Sequence, residues 1–124
     1  KFYLGFTVDE SCGKCAPCRI GGYQMLQLMN KIAAGKGTKA DVAKIKEIGN
    51  AMKKASLCGL GQTAPNPVLS TMKFFPEEYE AHVVDKKCPA GKCKSMLSFH
   101  IDPEKCIKCG LCQANCKVGA IVKE

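Results

Sequence analysis

The sequence predicts a mainly α chain: a four-helix bundle over residues 1–84, a hinge over 85–100 and a small α+β segment over 101–124. Three observations carry this reading. Apolar residues recur at helical spacing early in the chain, as in Met25, Leu28, Met29 and Ile32. Glycines and prolines interrupt that pattern at short intervals, so the helices are short and their connections shorter still. Ten cysteines in 124 residues fall mostly at C-x2-C spacings, which organises loops and tail around thiols.

The elements follow in order. Residues 1–7 alternate weakly in polarity, as a short strand or the tail of a preceding domain does. A first helix begins near Pro17, whose fixed φ suits a first turn, and runs to about residue 34, its methionines serving as ordinary core. Gly35, Lys36 and Gly37 stop it. Thr38 with Asp41 three residues on makes a capping-box-like start for a second helix, with Val42, Ile45, Ile48 and Met52 on one face. That helix delivers Cys58. Residues 59–67 hold glycines and prolines and read as a loop. A third helix spans 67–74, and a fourth follows Pro76 through Tyr79 and Val84. Phe74, Phe75 and Tyr79 read as core aromatics. Residues 85–99 turn lysine- and cysteine-rich without helical period, and residues 101–121 are expected to form strand, loop, helix and strand.

Composition narrows the function class. A 46% hydrophobic content supports a modest core. The opening residues lack the apolar region of a secretory signal, and no apolar run approaches membrane-spanning length. The expected setting is cytoplasmic and reducing, which disfavours a disulfide framework. The formal charge of +8 raises nucleic-acid binding. That reading is set aside, because the lysines are scattered without aromatic interleaving and metal-bound thiolates offset their charge. A solvated surface, or docking on an acidic redox partner, fits better.

The motifs carry the chemistry. Cys12, Cys15 and Cys18 stand at C-x2-C-x2-C spacing, and Cys58 lies far downstream. Three thiols can wrap one corner of a cubane and a distant fourth can close it, the all-thiolate set that a [4Fe-4S] cluster needs. Tetrahedral zinc is the rival, although zinc sites usually take cysteines in pairs. Arg19 stands either as a charge near this site or as a solvated first-turn residue, and Lys14 is expected to face solvent. Cys106, Cys109, Cys112 and Cys116 form the C-x2-C-x2-C-x3-C run of a bacterial ferredoxin half, with Lys117 where a proline is usual. In two-cluster ferredoxins the fourth cysteine ligates the other cluster. With a single run here, Cys116 serves locally, or a second run is missing, or another chain supplies the fourth ligand. Cys88 and Cys93, flanked by His82 and His100, suit a structural zinc pinning the hinge. A free or redox-active thiol pair and ligation of the second cluster stay open, as does His82 acting as a helix C-terminal cap.

The stretch 11–19, with Ser56, Leu57, Cys58, Gly59, Leu60 and Gly61 downstream, resembles the C-terminal part of flavin-containing NADH-oxidising subunits. With the later cysteines at 88, 93 and 106–116, it looks most like the NAD(P)-linked subunit of multimeric, often electron-bifurcating [FeFe]-hydrogenases, related to the flavoprotein subunit of respiratory complex I. The resemblance implies an excised C-terminal segment of a larger subunit whose FMN and NAD(P) sites lie upstream. The cofactors expected within the chain, from the motifs themselves, are two [4Fe-4S] clusters, at Cys12, Cys15, Cys18 and Cys58 and at Cys106, Cys109, Cys112 and Cys116, and a zinc ion at the hinge. The resemblance implies as partners the rest of the flavoprotein subunit, the hydrogenase catalytic subunit and a small thioredoxin-like [2Fe-2S] subunit, while charge and composition lead to neither nucleic acid nor membrane being expected. The expected role is to pass electrons between flavin and partner clusters; the alternative is a zinc-binding structural or interaction module without a redox role.

Overall fold

A computed structural model describes residues 1–97, 101–117 and 121. The protein is mainly α, with no strand among those residues. Helix α1 (Phe2–Asp9) comes first, where the alternation suggests a strand or tail. The segment is apolar all round, which mimics alternation, but Leu4 and Thr7 at i, i+3 turn inward and are buried. The Thr7 hydroxyl bonds back to the Leu4 carbonyl at 2.9 Å and so is satisfied inside the helix.

The predicted first helix is present with a wide start. A π turn, Pro17–Gly21, runs directly into α2 (Gly22–Ala33). Helix α3 (Lys39–Ala55) starts where predicted, with a complete capping box: the Asp41 amide donates to Thr38 Oγ1 at 3.3 Å, and the Thr38 amide donates to Asp41 Oδ2 at 2.8 Å. Lys31 adds an ion pair to Asp41 at 2.8 Å, which ties α2 to α3. The Lys31 bond, then the Thr38 bonds, hold the Asp41 carboxyl below the usual carboxylate range.

Residues 59–67 are not wholly loop. Helix α4 (Gly59–Thr63) forms there, helped by Thr63 Oγ1 donating to the Gly59 carbonyl at 2.7 Å and Gln62 Nε2 donating to the Ser56 carbonyl at 3.0 Å. Helix α5 (Asn66–Phe74) and helix α6 (Pro76–Glu80) follow, and a second π turn (Ala81–Asp85) extends α6. Met25, Ile32, Ile45, Met52, Val68 and Met72 from α2, α3 and α5 form the core with Leu4, Ala64 and Val83. Full burial of each large side chain contributes roughly 1.5–3 kcal/mol. The bundle thus recruits α1 and α4 beyond the four expected helices. Phe74 and Phe75 do not join it, being 67% and 52% exposed. They stand at the junction of α5 and α6, where Phe75, at φ −132° and ψ 55°, leaves the helical conformation before Pro76. Tyr79 alone of the three packs on the core, its hydroxyl 2.8 Å from Thr71 Oγ1.

The hinge segment lies against the end of α2. Lys86, in the left-handed region at φ 54°, closes the second π turn and donates its ammonium to the Gly37 carbonyl. Ser95, in a short 3-10 turn (Lys94–Met96), donates to the Ala33 carbonyl at 2.9 Å. In the tail, the expected opening strand is a turn. Asp102 accepts the Glu104 amide at 3.0 Å through its side chain and the Lys105 amide at 3.2 Å through its carbonyl, as an aspartate before proline favours. The described tail helix is α7 (Leu111–Asn115). The predicted closing strand falls mostly outside the described residues.

Candidate metal centres

The first centre is built from a loop and two short helical turns. Gly13 sits in the left-handed region at φ 71°, which lets the chain double back between Cys12 and Cys15. Arg19 clamps that loop, its Nη1 donating to the Gly13 carbonyl at 2.6 Å. On the far side the Gly13 amide donates to Ser11 Oγ at 3.3 Å. Cys18, in the π turn, is 8% exposed; Cys15 is half-buried, and Cys12 and Cys58 face outward. π turns often mark functional sites.

The distant Cys58 segment is joined to this loop through sulfur. The Cys15 thiol is held below its ordinary range, chiefly by the backbone of Leu57 and next by that of Cys18, with a smaller contribution from Arg19. Arg19 is therefore a charge near the site, while Lys14 faces solvent as expected. Gly61 fits against Cys18 because it lacks a side chain. A Cβ there would lie 2.7 Å from the Ser56 Cβ and 3.0 Å from the Cys18 Cβ. Ser56 is buried, and its hydroxyl has no partner among the protein atoms. An acidified thiol and an unpaired buried donor beside Cys18 form a donor set that fits an anionic sulfur-rich group.

The second centre is in the hinge. The ligand atoms of His82, Cys88 and Cys93 all lie within 4.8 Å of one another. Among the described residues this is the one group that closes to single-ion range. His82 Nδ1 lies 2.6 Å from the Glu78 carbonyl. A carbonyl only accepts, so Nδ1 carries the proton and Nε2 keeps its lone pair, 3.5 Å from Cys93 Sγ. Helix capping by His82 is thereby combined with ligand orientation, because the bond to Glu78 fixes the tautomer that a metal needs. Cys88 is acidified to about 7, chiefly by the Cys93 amide and next by the Lys92 amide. Burial, then the neighbouring Cys88, pushes Cys93 up. Gly91, at φ 60°, closes the turn that brings the two thiols together, its amide bonded to the Cys88 carbonyl at 3.0 Å. His100 lies outside the described residues.

The third set curls along the tail. Lys108 and Gly110, at φ 56° and 77°, bend the loop that carries Cys109, and Cys112 rides on α7. Cys106 and Cys116 are half-buried, whereas Cys109 and Cys112 are exposed. No disulfide forms among the described residues, which include all ten cysteines. Sequence reasoning missed Ser11, Ser56, the Leu57 backbone and the Glu78 carbonyl. The serines had a readable signal, since each adjoins or nearly adjoins a ligand-spaced cysteine. Backbone donors and acceptors have none.

Residues 1–82 match the NADH-ubiquinone oxidoreductase-F iron-sulfur binding region, and residues 99–122 match the 4Fe-4S binding domain. The chain is 54% identical over 121 residues to NADP-reducing hydrogenase subunit HndC of Solidesulfovibrio fructosivorans, covering 98% of this chain and 25% of that protein. It is 44% identical over 90 residues to an NADH-quinone oxidoreductase subunit of Streptomyces coelicolor, covering 73% and 20%. The alpha subunit of the NAD-reducing hydrogenase HoxS of Cupriavidus necator is 37% identical over 100 residues, covering 81% and 16%. The chain thus spans a quarter or less of the length of these relatives. It belongs to the family of the NADH-ubiquinone oxidoreductase-F iron-sulfur binding region.

Proposed function

We propose that this chain is the electron-transfer module of an NAD(P)H-dependent flavin and iron–sulfur oxidoreductase of the hydrogenase type, relaying electrons between flavin and partner clusters. Cys12, Cys15, Cys18 and Cys58 hold one [4Fe-4S] cluster, and Cys106, Cys109, Cys112 and Cys116 hold a second. His82, Cys88 and Cys93 hold a structural zinc, with His100 as candidate fourth ligand. The observation that carries the first site is the close fit of Gly61, where an added Cβ would lie 3.0 Å from the Cys18 Cβ, which seats the Cys58 segment against the Cys12–Cys18 loop. When bound, such a cluster accepts and releases one electron at a time. The chain's own contribution is to fix four thiolates and keep Cys18 from water. In a parent enzyme that binds FMN and NAD(P), the partners are the remaining flavoprotein part, the hydrogenase catalytic subunit and a [2Fe-2S] subunit. No helix among the described residues is long and apolar enough to cross a membrane. Both family matches are to iron–sulfur binding regions, so a zinc-only module draws no support from them.

Cys58→Ser tests the first site. An alkoxide is a poor substitute for thiolate on iron, so the variant keeps its helical circular dichroism and loses or converts one four-iron EPR signal. An unchanged set of signals removes Cys58 from the ligands.

A further inference from the structure

We infer that Ser11 sets the reduction potential of the cluster held at Cys12, Cys15, Cys18 and Cys58, by donating its hydroxyl proton to the Cys18 sulfur; the inference rests on that reading of the site. Ser11 Oγ lies 3.3 Å from Cys18 Sγ. A metal-bound thiolate carries no proton, so in the loaded site only the hydroxyl can donate. The Gly13 amide supports that direction, because it donates into Ser11 Oγ at 3.3 Å and occupies an acceptor side of the oxygen. The hydroxyl proton is then left to point at sulfur.

The position of Ser11 is fixed from both sides. Its amide donates to the Val8 carbonyl at 3.2 Å, which hangs it from the end of α1. Arg19 locks Gly13 from the opposite side of the loop. The sulfur it meets belongs to the most buried cysteine of the four. A hydrogen bond there acts in a lower dielectric and counts for more than one at an exposed sulfur. The reduced cluster carries one more negative charge than the oxidised one, so the bond is stronger after reduction and raises the potential. One electron enters, no proton is transferred, and Ser11 keeps its own.

The test is an EPR-monitored redox titration of the cluster-loaded protein with Ser11→Ala, Ser11→Thr and Ser11→Val. Threonine and valine share a shape and differ in the hydroxyl, so the pair separates the hydrogen bond from packing. Ser11→Ala and Ser11→Val shift the midpoint of this cluster to more negative values at unchanged iron content. At a fixed poise their reduced-to-oxidised ratio falls several-fold, while Ser11→Thr titrates with the wild type. Thr and Val variants titrating together, or all three at the wild-type midpoint, overturn the role of Ser11. If Ser11→Ala fails to load, the Thr and Val pair still decides. A wild-type protein without a four-iron signal that is sensitive to Cys58→Ser instead overturns the underlying site.

Discussion

Gly61 shows how a single missing methyl group supports the first centre. A Cβ at this position meets two others, on Ser56 and Cys18, at 2.7 and 3.0 Å, and neither can swing away as the tip of a long side chain would. Gly61→Ala therefore forces α4 off the Cys18 turn, at a cost of about 1–3 kcal/mol by overpacking. Its cluster content falls while α2 and α3 persist, which iron analysis beside circular dichroism checks. His82 makes the complementary case, since its bond to Glu78 costs nothing in register and presents Nε2 to Cys93. His82→Ala lowers zinc retention at least tenfold, as loss of a primary ligand does when loss of a supporting contact already costs 10–100-fold. Full zinc in that variant would move the ligand elsewhere. The ligand candidates are legible from cysteine spacing. The place of Ser56 two residues before Cys58 is legible too, but the lack of any protein partner for its buried hydroxyl is not, because spacing does not encode it.

At the scale of elements, α3 is readable from Thr38 and Asp41 because capping is local chemistry, and the structure has both of its reciprocal bonds. Asp41→Asn weakens that cap and the Lys31 pair together, costing about 1 kcal/mol at neutral pH. The folded carboxyl is held below its ordinary range, so its contribution is complete above the unfolded pKa. It is lost as pH falls through the depressed folded value. The stability gap between wild type and variant in urea unfolding should therefore close on acidification and stay constant above about pH 5. A gap that widened in acid would contradict the assignment. Helices α1 and α4 are not readable in the same way. The first is apolar on every side, so neither the helical nor the strand period stands out. The second is five residues with two glycines, stabilised by side-chain bonds to nearby carbonyls that propensity does not capture. Both π turns look like ordinary helix in sequence, since a wide turn leaves no mark on apolar periodicity. The Phe74 and Phe75 pair misleads for a related reason: both stand where α5 ends before Pro76, and hydrophobicity alone does not reveal that the helix stops there.

For the whole molecule, the hinge segment is fastened to the bundle by Lys86 on Gly37, Ser95 on Ala33 and the His82, Cys88 and Cys93 group. Metal binding stabilises whatever orders its ligands. Chelating zinc should thus raise amide exchange across residues 86–97 while leaving α2 and α3 protected, and equal protection with and without zinc would count against a pinning role. The central claim concerns what the thiols hold. It is tested most directly by quantifying iron, acid-labile sulfide and zinc in protein purified anaerobically without chelator, beside its Mössbauer spectrum. The account predicts about eight iron atoms and about eight sulfides per chain, all in cubane environments, with about one zinc. Zinc at two or more equivalents with little iron or sulfide would contradict it.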